Sequence, residues 1–170
     1  MVYGRVEPYI DSRRWHISGV NIMQQVIPKG RNYARWWQRI LSLWPHWKPK
    51  GVEISGYIHP SWAVDFNDKK KQEKWQKVGG ISRGNHHEFS RRLGVRYDPV
   101  TKTFEFASYE YNDGVRSYPI IARFRKVGEQ YRFVLLFNDK VKMPCFGYRL
   151  NAYFEYAPHD VVVNAKVRVL

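Results

Sequence analysis

From residue 52 onward, apolar and polar positions alternate mostly with a period of two, the spacing of strands with one buried face. The pattern predicts strands over VEISGYIH (52–59), FSRRLGVRY (89–97), KTFEFASYEY (102–111), SYPIIARFR (117–125), QYRFVLLFN (130–138), FGYRLNAYFEY (146–156) and DVVVNAKVRVL (160–170). Turn-forming residues divide several of them: Asp98-Pro99, Asn112-Asp113-Gly114, Gly128-Glu129 and Asn138-Asp139. Short strands at this spacing, without helical crossovers, predict an all-β fold, an antiparallel β-sandwich or jelly roll. No linker or repeat interrupts residues 1–170, so a single domain is expected.

Two segments leave the alternation. NYARWWQRILSLW (32–44) sets Tyr33, Trp36, Trp37, Ile40, Leu41 and Trp44 at helical spacing and is stopped by Pro45, predicting one short helix near the N-terminus. Arg35 and Arg39 interrupt its apolar stripe, so the helix is expected to cover one end of the sandwich, with no membrane as partner. NDKKKQEKWQK (67–77) reads as a solvated, lysine-rich loop or lid.

Alternation also assigns faces. In FSRRLGVRY, Ser90, Arg92, Gly94 and Arg96 share one face, and Arg91, Leu93, Val95 and Tyr97 the other. Arg92 and Arg96 are separated by one same-face residue and could share a phosphate or carboxylate ligand, with Gly94 leaving room for its approach. In the next strand, Phe104 and Phe106 point to a core, leaving Glu105, Ala107, Tyr109 and Tyr111 opposite. A hairpin through Asp98-Pro99 would set those tyrosines beside the arginines, a surface able to grip phosphates and stack on a base or sugar. His86 and His87 precede the first of these strands in a turn begun by Gly84-Asn85. His159 and Asp160 follow Ala157-Pro158, either as an acid/base or ligand-contacting pair or as a plain turn.

Composition narrows the ligand. The chain carries 29 Lys and Arg against 15 Asp and Glu, a net charge of +14, which points to a polyanionic or phosphate-bearing partner. Cys145 is the only cysteine, which excludes an intramolecular disulfide and suits a reducing cytoplasm. The first twenty residues hold no apolar leader, so a cytoplasmic location is expected.

Catalytic patterns are weak. The triplets His16-Ile17-Ser18 and His59-Pro60-Ser61 are similar to the paired signature of two-histidine phosphoesterases, but Pro60 sits badly in a strand. His86-His87-Glu88 lacks the alternation that aims ligands at one metal ion. No phosphate-binding loop, dinucleotide fingerprint, nucleophile elbow or zinc ribbon is present, so no cofactor, metal or catalytic set is expected.

The run HHEFSRRLGVRY, then FEFASYEYNDGVRSY, then FGYRLNAYFEYAPHD, resembles small β-sandwich proteins of Bacteroidetes and their phages. VIPKGRNY (26–33) is similar to an early turn of the same proteins. The resemblance covers mainly residues 84–160. It implies a polar sheet face built from His86, His87, Arg92, Arg96 and His159, and it implies no particular activity.

Three readings follow. The first is a non-catalytic protein that holds, and in a phage setting sequesters, a nucleotide-derived anion: Arg92 and Arg96 grip phosphate, His86 and His87 donate hydrogen bonds, and Tyr109 or Tyr111 stacks. The second is an acidic-carbohydrate binder or polysaccharide lyase using much the same residues. The third is a nucleic-acid binder, for which the net charge is the main support. A pocket completed by a second copy of the chain is compatible with each.

Overall fold

The computed structural model describes residues 23–42, 44–138 and 146–170. Eleven strands are described: β1 (Met23–Ile27), β2 (Pro45–Trp47), β3 (Gly51–Tyr57), β4 (Gln76–Arg83), β5 (Phe89–Asp98), β6 (Thr103–Asn112), β7 (Val115–Ser117), β8 (Ile120–Phe124), β9 (Gln130–Leu136), β10 (Phe146–Leu150) and β11 (Val161–Val169). Two short helices, α1 (Trp36–Ser42) and α2 (Lys69–Gln72), and a 3-10 turn at Pro60–Trp62 complete the described elements. A four-stranded sheet runs β1-β11-β3-β9. A seven-stranded sheet runs β2-β10-β4-β5-β6-β7, with β8 also pairing β6. Every pairing is antiparallel.

The two sheets face each other across one apolar layer, the all-β sandwich that alternation predicts. Val52 and Ile54 of β3, Phe133 and Leu135 of β9, and Val161 and Val163 of β11 meet Leu93 and Val95 of β5 and Phe104 and Phe106 of β6. Trp62 enters from the 3-10 turn, donating its indole N–H to the Val162 carbonyl at 2.8 Å, so the one polar atom of a buried ring is satisfied. The β6–β7 hairpin turns on Asp113 and Gly114 with φ of 50° and 76°, the left-handed pair that a two-residue Asp-Gly hairpin needs.

Strands β1, β2 and β4 fall outside the predicted set. In β4 the Gly79-Gly80 pair lowers strand propensity, so QKVGGISR does not read as a strand. The structure gives Gly80 a reason: a Cβ there would run into the Arg91 carbonyl and the Arg92 main chain. The predicted strand 146–156 stops at Leu150, and 117–125 is broken at Pro119 into β7 and β8.

The helix expectation needs correction. α1 exists, but of residues 32–40 only Ala34 is buried, and Trp36, Trp37 and Ile40 stand exposed. The stripe at helical spacing does not cover the sandwich. The lysine-rich segment also differs from a loop: Asp68 caps α2 by accepting from the Lys70 and Lys71 main chain, and Trp75 and Gln76 beyond it are buried.

Candidate functional site

The site lies on the outer face of the seven-stranded sheet. In the β5–β6 hairpin Arg92 stands opposite Tyr109, Gly94 opposite Ala107, and Arg96 opposite Glu105, while Leu93, Val95, Phe104 and Phe106 go to the core. The face assignment read from alternation therefore holds for both strands. The predicted neighbourhood holds for Arg92 and differs for Arg96, whose cross-strand partner is a carboxylate.

Strand β4 brings in a residue that alternation does not mark. Lys77 pairs Gly94 and Gly79 pairs Leu93, so Val78 is an extra residue, a bulge. Strict period two would place Lys77 on the same face as Ile81, which is fully buried in the core. The extra residue lets Val78 fill the core while Lys77 turns outward beside Gly94. On its other side Lys77 exchanges two backbone hydrogen bonds with Tyr153, each 2.8 Å, which fixes that ring alongside.

The Lys77 ammonium sits 4.5 Å from the Tyr109 ring centroid and 5.0 Å from that of Tyr153, a cation between two π faces. Burial, reinforced by the charges of Arg92 and Arg116, holds its pKa down to about 8, against the pull of Glu155. Glu155 is itself occupied, accepting from the Tyr153 hydroxyl at 2.7 Å and pairing Lys74 at 2.9 Å. Those bonds, from Lys74 first, hold the Glu155 carboxyl below its ordinary range.

Tyr109 and Tyr118 stack with centroids 6.3 Å apart and planes 17° off parallel, and the Arg116 guanidinium lies over the Tyr118 ring, 6.0 Å from its centroid. Trp75 lies beside Tyr118 and supports the group from below. A Cβ on Gly94 would meet the Trp75 ring at 3.3 Å, so the space left by that glycine accommodates tryptophan and not a ligand. Arg96 lies over Trp75 at 4.5 Å and forms an ion pair with Glu105 at 2.6 Å, while Arg123 holds the other Glu105 oxygen at 2.9 Å. Burial raises the Glu105 pKa, but the two guanidinium groups outweigh it and leave the carboxyl below its usual range. Trp75, Lys77, Arg96, Tyr109, Arg116 and Tyr118 all border a cleft of about 1150 Å³.

Arg92 sits beside this cleft with less compensation. Its Nη2 donates to the Asn151 carbonyl at 2.6 Å, and its buried Nε has no partner. Burial lowers its pKa to about 10, which leaves it charged at neutral pH. His86 and His87 extend the face past the cleft: their rings are 4.0 Å apart, and His87 meets Tyr111 edge-on at 5.5 Å. Tyr111 in turn contacts Tyr109 at 6.1 Å. Burial, and then His87 and Arg92, depress the His86 pKa, so its imidazole favours the neutral form.

Six of the seven expected residues are thus brought onto one face: His86, His87, Arg92, Arg96, Tyr109 and Tyr111. His159 is not among them. Its Nε2 bonds the Ser61 carbonyl at 2.8 Å, and Asp160 accepts from the Lys29 main-chain N–H at 2.9 Å, so the two neighbours serve separate loop contacts and form no pair. Of the His-x-Ser triplets, His16 lies outside the described residues, and His59 caps the 3-10 turn by accepting from the Ser61 N–H at 3.1 Å. Among the described residues no cluster of His, Cys, Asp and Glu is placed to hold a metal ion.

The alternation Trp75-x-Lys77 at the end of the lysine run was the available signal for the missed half of the site. Tyr153 and Tyr118 carried none, because a bridge outside any strand and a residue before Pro119 place them. No protein-family model, curated protein or solved structure matches the chain.

Proposed function

We propose that this face binds a compact, phosphate-bearing ligand of nucleotide type without acting on it. The observation that carries the reading is that Lys77, Arg92 and Arg116 gather around the Tyr109–Tyr118 stack, and none forms an ion pair among the described residues. Cations held in no ion pair, set beside tyrosine rings, supply both halves of nucleotide recognition, the cations for phosphate and the rings for a base, while the acidic side chains that share the cleft lining, Glu105 and Glu155 among them, restrict where phosphate can sit. In this reading Arg96 plays a lesser part than Arg92, since Glu105 already neutralises it. His86 and His87 offer hydrogen bonds at the rim. Binding without turnover would amount to sequestration, in keeping with the phage setting that the resemblance implies.

One observation favours a longer ligand as the second reading. The series of rings continues from Tyr109 through Tyr111 to His87 and His86, and from Tyr153 to Tyr33 at 5.2 Å, which suits a short single strand.

Protein purified from bacterial cells and measured by native mass spectrometry, with bound small molecules released and identified, tests the proposal. A panel of nucleotides, titrated at two salt concentrations, completes it. A stoichiometric phosphorylated molecule, or saturable nucleotide binding with a shallow salt dependence, is the expected result, and the same spectrum counts the subunits. A steep salt dependence with oligonucleotides preferred would transfer the site to the second reading. An empty protein that binds neither would overturn both.

A further inference from the structure

At the far edge of the same outer sheet face, a second group of side chains is exposed among the described residues. Trp36 is 71% exposed on α1, Trp44 64% just before β2, and Trp47 62% on β2. Trp37 and Ile40 of α1 are exposed as well. Among the described residues strand β2 is the edge of the seven-stranded sheet, and its pairing with β10 sets Trp47 opposite Phe146 and Pro45 opposite Tyr148, all four exposed. The Trp47 and Phe146 rings meet edge-on at 4.7 Å. The Arg149 N–H donates to the Trp44 carbonyl, tying the α1–β2 connection to the same edge.

The segment that carries α1 and β2 is basic in sequence, with Asp160 lying against Lys29 at its start. Residues 23–50 contain Lys29, Arg31, Arg35, Arg39, Lys48 and Lys50 and no Asp or Glu. All six cations are exposed. In the cleft, rings and cations alternate, each cation lying against a ring face. Here the apolar surfaces of Pro45, Trp47, Phe146 and Tyr148 run together on one side of the β2–β10 pair, with lysines at its border. Phosphates threaded between bases call for the first arrangement. A surface of tryptophan and aliphatic side chains rimmed by Lys and Arg is what an anionic lipid interface accepts, because the indoles settle at headgroup depth while the cations meet lipid phosphates.

We infer that the surface formed by β2, β10 and the exposed tryptophans of the segment leading into β2 docks the protein on an anionic lipid bilayer. Among the described residues no helix is long and apolar enough to cross a membrane, and docking in the interface requires none. The inference stands on residues apart from the cleft and does not depend on the ligand proposed there.

Flotation of the whole chain with vesicles of phosphatidylglycerol and phosphatidylcholine, against phosphatidylcholine alone, is the direct test. Binding to the anionic vesicles is expected, with little to the neutral ones, and brominated lipid should quench the tryptophan fluorescence of the unaltered protein. Combining Trp36→Ala, Trp44→Ala and Trp47→Ala should weaken vesicle binding by about tenfold or more with the circular dichroism unchanged, since all three rings are exposed. Absence of binding to anionic vesicles would overturn the inference. So would binding without quenching, which would mean adhesion through overall charge alone. Self-association lost in the triple variant without lipid would assign the surface to a second copy of the chain, and tryptophan-dependent capture of an oligonucleotide would assign it to nucleic acid; either result overturns the lipid reading.

Discussion

Arg91 and Arg92 are consecutive on β5 and stand in two different regions, the core side and the outer face of one sheet. Arg91 donates to the Leu136, Ser90 and Tyr111 carbonyls and to the Asn112 side chain, with the Glu110 carboxylate 3.8 Å away. Glu110 is held in turn by the Ser108 hydroxyl at 2.6 Å. Arg92 makes one bond, to Asn151, and keeps a buried Nε without a partner. Arg91 is buried and Arg92 half-buried. They differ further in satisfaction: a closed network around Arg91 holds β5, β6 and β9 together, whereas Arg92 keeps one buried donor without a partner among the described residues.

The largest effect should come from the closed side. Arg91→Leu leaves Glu110 buried without its cation and is expected to cost about 3–5 kcal/mol, read as a lowered midpoint in urea denaturation. A loss under about 1 kcal/mol would erase the contrast, since the network would then not be structural. Next comes Arg92→Ala, which should weaken binding of a nucleotide ligand by about 1.5–3 kcal/mol, the range for a charged hydrogen bond, with the urea midpoint little changed. Should that variant unfold and bind normally when folded, Arg92 belongs with Arg91.

A smaller, pH-dependent effect belongs to Lys77. Its pKa is about 8 in the folded chain against an ordinary 10.5, so anion affinity should fall by a few-fold as pH rises through about 8. Stability should move the other way. Below pH 8 the buried ammonium carries its full cost; between 8 and 10.5 the folded chain binds fewer protons than the unfolded one, and stability rises with pH. Comparison with Lys77→Met isolates both trends, and an affinity that stays flat to pH 10 in the unaltered protein would remove Lys77 from the site. Smallest of all is Arg96→Ala. With its charge paired to Glu105 and partly in solvent, it should change affinity by about 0.2–1 kcal/mol, measured in the same titration.

Alternation was enough to set the inner and outer faces of β5 and β6, and with them the company of Arg92 and Tyr109. The sandwich was readable for the same reason, since long strands with one wet face carry a strong period of two. What could not be read was set by long-range geometry. The Arg96–Glu105 pair depends on hairpin register, the place of Tyr153 on a single backbone bridge, and the bonding of Arg91 on carbonyls of β9. The α1 stripe misled because helical spacing shows that a face is apolar, not that the fold turns that face inward.

The extra residue in β4 has a consequence for how such a site tolerates change in chain length. With Val78 present, the half-strand bearing Trp75 and Lys77 and the half bearing Gly80 and Ile81 keep independent parity, joined at a point that absorbs one residue. Deleting Val78 would sacrifice its methyl groups in the core, yet Lys77 would remain opposite Gly94 and Gly79 opposite Leu93, so every other side chain would keep its side. Length variation by one residue at this position is therefore nearly silent for the cleft, whereas a deletion away from the bulge would turn the residues between it and the bulge to the opposite face.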